Sequence, residues 1–174
     1  RNAHYSQPPE SGKTFLENAQ IKAKSLKAMK PGHWVVAEDS GLEVPELGGL
    51  PGIHSARYAG ANARDSENVA KLLKMLQLKG AQKRTARFLC TMVAFDPTGK
   101  EHQLTGEING VIAKSPLGQL GFGYDPVFVP ENETIEDLIY AHSDGWKNPE
   151  KVILLDNSGI HMTPEAVKKA VMER

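Results

Sequence analysis

The stretch that most limits the fold is "ARFLCTMVAFDPTGKEHQLTGEI", residues 86–108. Its first half alternates, with Phe88, Cys90, Met92 and Ala94 on one face. A period of two is the signature of a strand, because successive side chains point to opposite faces. "DPTGK", residues 96–100, carries the proline and glycine of a turn, and "EHQLTGEI" runs back. The pattern predicts a β-hairpin, two strands of a sheet.

Helical segments must cover that sheet. Thr14-Phe15-Leu16-Glu17 is a capping box, in which Thr14 caps the helix and Glu17 reaches back to it. Leu16, Ala19, Ala23 and Leu26 then recur at helical spacing, and Pro31-Gly32 ends the run, so a helix is predicted over 14–29. A second helix is predicted over 66–79, capped by Asp65 or Ser66, with Val69, Leu72, Leu73 and Leu76 as its apolar face and Gly80 at its end. "WVVAEDSG" (34–41) reads as a buried strand whose end delivers acidic residues into a turn. "GVIAKS" suggests one more strand, Val127 to Val129 another, and "ETIEDLIYAH" a short helix. "KVILLDN" (151–157) reads as a strand, and "TPEAVKKAVMER" as a helix with Thr163 as cap and Pro164 at its first position. The expectation is one mixed α/β domain over residues 1–174.

Composition removes whole classes of function. The 21 basic and 21 acidic residues balance, which argues against non-specific nucleic-acid binding. Cys90 is the single cysteine, so no internal disulfide forms and a reducing compartment is expected. No apolar run approaches the roughly 20 residues of a membrane span, and no signal peptide is visible. The first residue is Arg1 rather than Met, so a fragment, a processed form and a trimmed chain are all open.

Ser11-Gly12-Lys13-Thr14 looks like the end of a P-loop. The pattern needs a glycine five positions before Gly12, where Gln7 stands, and a buried strand ahead of it, where "RNAHYSQPPE" is polar and proline-broken. "SGKT" is therefore a helix start.

Chemistry has other sources. Glu38-Asp39 are adjacent carboxylates and cannot face the same way in an extended chain. Hard oxygen ligands of this type suit magnesium, which takes one or two carboxylates plus phosphate oxygens; on local composition alone a solvated turn is the simpler reading. Glu10 lies in a loop before the first helix, and Lys22 on the margin of its apolar stripe, one turn on from Asn18. Arg57 in "HSARYAG" suits either a phosphate or a surface ion pair. In "GFGYDP" (121–126) the glycines permit close backbone approach, and Phe122 and Tyr124 offer either flat faces to a base or filling for the core. His54, His102, His142 and His161 show no metal-ligand spacing, and Cys90 reads as core. Together these are the parts of a magnesium-dependent phosphoanhydride hydrolase.

The series "ESGKTFLENAQIKA", "VVAEDSGLEVPELGGLPGIHSARYAG", "ENVAKLLKML", "ARFLC" and "GEINGVIAKSPLGQLGFGYDPVFVP" closely resembles the inosine/xanthosine triphosphate pyrophosphatase family over about residues 9–130. The resemblance implies an elongated α/β domain with a long, twisted mixed sheet and a central cleft, usually dimeric and cytoplasmic. It implies magnesium-dependent hydrolysis of ITP, XTP and their deoxy forms to the monophosphate and pyrophosphate. It makes Asp39 the general base and a metal ligand, and Glu10 the second metal-binding carboxylate. Lys22 becomes the triphosphate contact and Ser40 the next substrate contact. Phe122, Gly123, Tyr124 and Asp125 become the base-binding loop, with Arg57 in a family motif beside them. The partner is a purine nucleoside triphosphate, not a nucleic acid or a membrane.

Two departures accompany the match. The family's opening strand and [TS]-G-N-x-x-K turn would precede Glu10, and this chain starts too late to contain them. The family's closing lysine and Ser-His-Arg are replaced by a tail in which His142-Ser143 is a poor substitute. A catalytically impaired nucleotide-binding relative is therefore the alternative. The tail "KVILLDNSGIHMTPEAVKKAVMER" has the strand–turn–helix form of the missing opening, and is expected to occupy its place in the sheet if the chain is rearranged.

Overall fold

The hairpin forms as its alternation requires. The computed structural model describes residues 6–117, 122–131, 154–156 and 159–161. In chain order it contains α1 (Phe15–Met29), β1 (Val35–Glu43), α2 (Asp65–Leu78), β2 (Thr85–Phe95), β3 (Glu101–Ile112), β4 (Phe128–Pro130), β5 (Leu154–Asp156) and β6 (Gly159–His161). Strands β1-β2-β3-β4 make one sheet in that order, and β5-β6 a separate pair. Every described pairing is antiparallel. The α/β class stands, and the parallel component implied by a mixed sheet is absent among the described residues.

Register explains the two-sided core. Leu42 faces Phe88, which faces Ile108. These even-numbered positions pack with Val69, Leu72 and Leu76 of α2 and with Val127 and Phe128. The Phe88 and Phe128 rings meet edge to face at 4.8 Å, a geometry that suits their quadrupoles. The odd positions Val93 and Phe95 take Ala19 and Ala23 of α1 on the other face. Both faces of β2 are thus covered, and the alanines let α1 approach the sheet closely.

Local details differ from the expectations. The Thr14 hydroxyl does accept from the Glu17 N–H at 3.1 Å, but Glu17 takes the Lys13 N–H rather than that of Thr14. Arg64, not Asp65 or Ser66, stands at the cap of α2, where Glu67 accepts its N–H at 2.7 Å. β1 continues to Glu43, so Glu38 and Asp39 lie mid-strand and not in a turn. "GVI" extends β3 rather than starting a strand, because β2 keeps pairing it as far as Val111.

The tail also differs. β5 lies within the strand expected at 151–157, and it pairs antiparallel with β6. β5 is not part of the four-stranded sheet, so it does not fill a place in it; β6 lies against β1. The helices expected at "ETIEDLIYAH" and "TPEAVKKAVMER" lie outside the described residues, as does His142-Ser143. No helix among the described residues is long and apolar enough to cross a membrane.

Candidate active site

β1 separates its carboxylates as an extended strand must. Asp39 lies on the α1 face of the sheet and is buried at 7 % exposure. Glu38 points to the other face, where its carboxylate accepts from the Ser40 hydroxyl at 2.9 Å. The Ser40 side chain is therefore not brought to Asp39.

α1 supplies the partners of Asp39. Asn18 and Lys22 are four residues apart, and i,i+4 side chains share one face of a helix. Lys22 Nζ donates to Asp39 Oδ1 at 2.7 Å and to the Glu38 carbonyl at 3.0 Å. Asn18 Nδ2 donates to Asp39 Oδ2 at 3.0 Å, while Asn18 Oδ1 accepts from the Gly12 N–H at 2.9 Å. Gly12 must be glycine: a Cβ there would stand 2.6 Å from Asn18 Oδ1 and 2.7 Å from Glu17 Cβ.

The irregular segment that Gly12 closes carries Glu10. Its Oε1 lies 2.9 Å from Lys22 Nζ, and its Oε2 2.8 Å from Arg57 Nη1. Arg57 ends the short 3-10 helix Gly52–Arg57. That helix is fixed to β1 by Ser55, whose hydroxyl accepts from the Leu42 N–H at 2.9 Å and donates to the Gly52 carbonyl at 2.6 Å. Gly41 makes the approach possible, since a Cβ would stand 2.5 Å from Ser55 Oγ. Four predicted residues, Glu10, Lys22, Asp39 and Arg57, thus form one continuous ionic network.

Burial and charge compete within it. Burial is the largest influence on Asp39 and pushes its carboxyl up; Lys22 and Asn18 pull it back, Glu10 adds to the rise, and the net direction is upward. Burial also raises Glu10, but hydrogen bonds and charge from Lys22 and Arg57 outweigh it and leave Glu10 below the ordinary value. Burial lowers Lys22, and its two carboxylate partners overcome this and raise it. Asp39 is thus the carboxylate whose basicity its surroundings increase, which is the direction a proton acceptor needs.

The aromatic loop is built differently from a pair of open faces. Tyr124 is buried in the α2 core and its hydroxyl donates to the Ser55 carbonyl at 2.9 Å. Its ring is core filling and braces the loop; burial raises its phenol, with Tyr58 and Asp65 adding to the effect. Phe122 stays half-buried. Gly123, at φ +57°, donates its N–H to Asp65 at 2.7 Å, and Asp125 accepts the Phe122 N–H at 3.1 Å. Phe122 and Gly123 line a groove of about 1150 Å³ against α2, whereas Glu10 and Arg57 line a separate recess of about 580 Å³.

Sequence reasoning missed Asn18, Ser55 and Asp65 as parts of this architecture. For Asn18 there was a signal, an amide one turn before Lys22 and next to the apolar position Ala19. Among the described residues no group of three or more His, Cys, Asp or Glu is arranged to hold a metal. Glu10 and Asp39 still fit magnesium. Two hard carboxylates converge on the point that Lys22 Nζ bridges, and that ion needs one or two such ligands beside phosphate and water.

A model of the Ham1 family matches residues 2–145. The chain belongs to that family. Among curated relatives, a dITP/XTP pyrophosphatase of Bdellovibrio bacteriovorus is 57 % identical over 132 residues, covering 76 % of this chain and 66 % of that protein. A dITP/XTP pyrophosphatase of Geobacter sulfurreducens is 50 % identical over 119 residues, covering 68 % and 59 %. The chain therefore spans about three fifths to two thirds of the length of these relatives. Among solved structures, the Ham1 protein of Staphylococcus aureus aligns with TM-score 0.67 at 40 % identity, covering 74 % of this chain and 67 % of that one. A HAM1 protein from Coxiella burnetii aligns with TM-score 0.67 at 38 % identity, covering 71 % and 63 %.

Proposed function

We propose that this Ham1-family chain hydrolyses dITP, ITP and XTP to the monophosphate and pyrophosphate with magnesium. The observation that carries the reading is the network Arg57–Glu10–Lys22–Asp39, in which Lys22 joins a buried carboxylate of raised basicity, Asp39, to Glu10, and Glu10 in turn holds Arg57. The names of the curated relatives supply the substrate class.

The roles follow from position. Asp39 accepts a proton from the attacking water as its oxygen bonds to the α-phosphorus and pyrophosphate leaves. Lys22 and Arg57 meet the triphosphate, whose negative charge competes with Glu10 for them. Glu10 and Asp39 would hold magnesium, which when bound neutralises charge on the phosphates and orients them. Ser40 contributes through its backbone. The Glu38 carbonyl and the Leu42 N–H both point to the outer edge of β1. Backbone groups alternate along an antiparallel strand, so the Ser40 N–H has that same direction. Phe122 offers its ring to the base, Gly123 keeps the backbone close, and Asp125 and Tyr124 hold the loop in shape.

Discrimination for a 6-keto purine rests on donors aimed at O6, because a 6-amino group would leave them unpaired. The same reading places the enzyme in the cytoplasm as a dimer, acting on free nucleotides. The second reading, nucleotide binding without turnover, is favoured by a tail that lacks Ser-His-Arg. Pyrophosphate release from dITP, XTP, GTP and ATP at matched concentrations separates the two. Magnesium-dependent release from dITP and XTP supports the first. Saturable binding of the same nucleotides by a folded protein that releases no pyrophosphate supports the second.

A further inference from the structure

Asn18 is fully buried, at 0 % exposure, in a helix whose buried neighbours are Phe15, Ala19 and Ala23. Burying an amide costs free energy unless its groups are paired. Here both ends are paired, and both partners belong to segments that carry candidate site residues. Asn18 Nδ2 donates to Asp39 Oδ2 at 3.0 Å, and Oδ1 accepts from the Gly12 N–H at 2.9 Å. An N–H can only donate and an ionised carboxylate can only accept, so the two contacts require the same orientation of the amide.

We propose that Asn18 is the positioning residue of the acidic pair. It holds the plane of the Asp39 carboxylate from one side while Lys22 holds the other oxygen. At the same time it fixes Gly12, two residues from Glu10, in the segment whose Glu10 pairs with Lys22. One amide thereby sets the relative position of two carboxylates that come from separate parts of the chain. At 0 % exposure its side chain is closed to solvent. Its effect is on the geometry in which Asp39 receives a proton, and small displacements at a reacting group cost large factors in rate.

This inference rests on the pyrophosphatase reading, and its test is built to fail separately from it. Asn18→Asp keeps an acceptor for the Gly12 N–H but places a carboxylate against Asp39, whereas Asn18→Ala loses both contacts. Slow hydrogen exchange of the Gly12 amide in Asn18→Asp, and fast exchange in Asn18→Ala, report whether its bond to residue 18 is intact. The expected result is a fall in kcat of about tenfold or more in both variants, with KM changed much less, as for loss of transition-state geometry. A purely structural role in holding Gly12 predicts loss in Asn18→Ala alone, so wild-type kcat in Asn18→Asp overturns the proposal.

If the wild-type protein releases no pyrophosphate, the functional reading falls and a second readout decides on Asn18. Urea unfolding of the metal-free protein is compared for Asn18→Ala, Asp39→Ala and the double variant. Coupling of more than about twofold between their effects on the unfolding constant supports the clasp. Effects that simply multiply overturn it.

Discussion

The ammonium of Lys22 lies 2.7 Å from Asp39 Oδ1 and 2.9 Å from Glu10 Oε1. One cation thus joins a strand carboxylate to a loop carboxylate, and the packing of α1 on the sheet sets where they meet. A divalent ion would have to share or replace this bridge, which links the stability of the metal-free protein to its chemistry.

Lys22→Met removes the cation and leaves two carboxylates facing each other. Breaking a buried ion pair costs about 3–5 kcal/mol, and the lower end applies because Glu10 keeps 20 % of its side chain exposed. The sign of the pH effect follows. Without Lys22 both folded-state carboxyls titrate above their present values, and a raised acid destabilises increasingly as pH rises through the carboxylate range. Urea midpoints of the metal-free proteins will differ most near neutral pH and converge as pH falls toward about 4. A gap independent of pH contradicts this account.

Asp96 gives an acid-side prediction of opposite origin. Its Oδ1 accepts from the Thr98 hydroxyl at 2.6 Å and from the Thr98 and Lys100 N–H groups at 2.9 and 3.0 Å. These bonds, the Thr98 hydroxyl first, outweigh desolvation and hold its carboxyl well below 3.8. A depressed acid contributes stability above its unfolded value and loses it as pH falls below that value. Asp96→Asn will be less stable than wild type near neutral pH, and the gap will close below about pH 4 in chemical denaturation.

Leu72 is fully buried between α2 and the sheet. Leu72→Ala will lower stability by about 2–5 kcal/mol through lost burial and a residual cavity. Urea unfolding monitored by far-UV circular dichroism measures it. A shift below about 1 kcal/mol would mean that α2 does not close this core.

Tyr124→Phe deletes the hydroxyl that ties the aromatic loop to the Ser55 carbonyl, and leaves that carbonyl unpaired, at a cost of about 1–3 kcal/mol. Ser55 is also bonded to β1, so the variant loosens the loop relative to Asp39. KM for dITP will rise with kcat changed less. Equal losses in kcat and kcat/KM would instead place Tyr124 in the chemistry.

Much of this was legible in the residues because local rules governed it. The Phe88-to-Ala94 alternation gave the hairpin, and Thr14 the start of α1. Glu10, Lys22, Asp39 and Arg57, each singled out in the sequence, are joined in one ionic network. What local patterns do not encode is where long-range contacts send a side chain. Asp65 was read as a helix cap, yet it accepts the Gly123 N–H from 58 positions away. Tyr124 was open between base face and core, and only the packing of α2 decides it. Mid-strand placement of Asp39 depends on β2 continuing to pair to Arg87 opposite Glu43, which no window around residue 39 contains.

The central claim is that Asp39 takes the proton of the attacking water. The most direct measurement is pyrophosphate release from dITP with magnesium by wild type and by Asp39→Asn, with urea unfolding confirming that both are folded. The account predicts a drop in kcat of about 10²–10⁴ for the folded variant, the range for loss of a general base. A folded Asp39→Asn that turns over within about threefold of wild type, where even loss of one positioned acid–base group costs more than that, would contradict it.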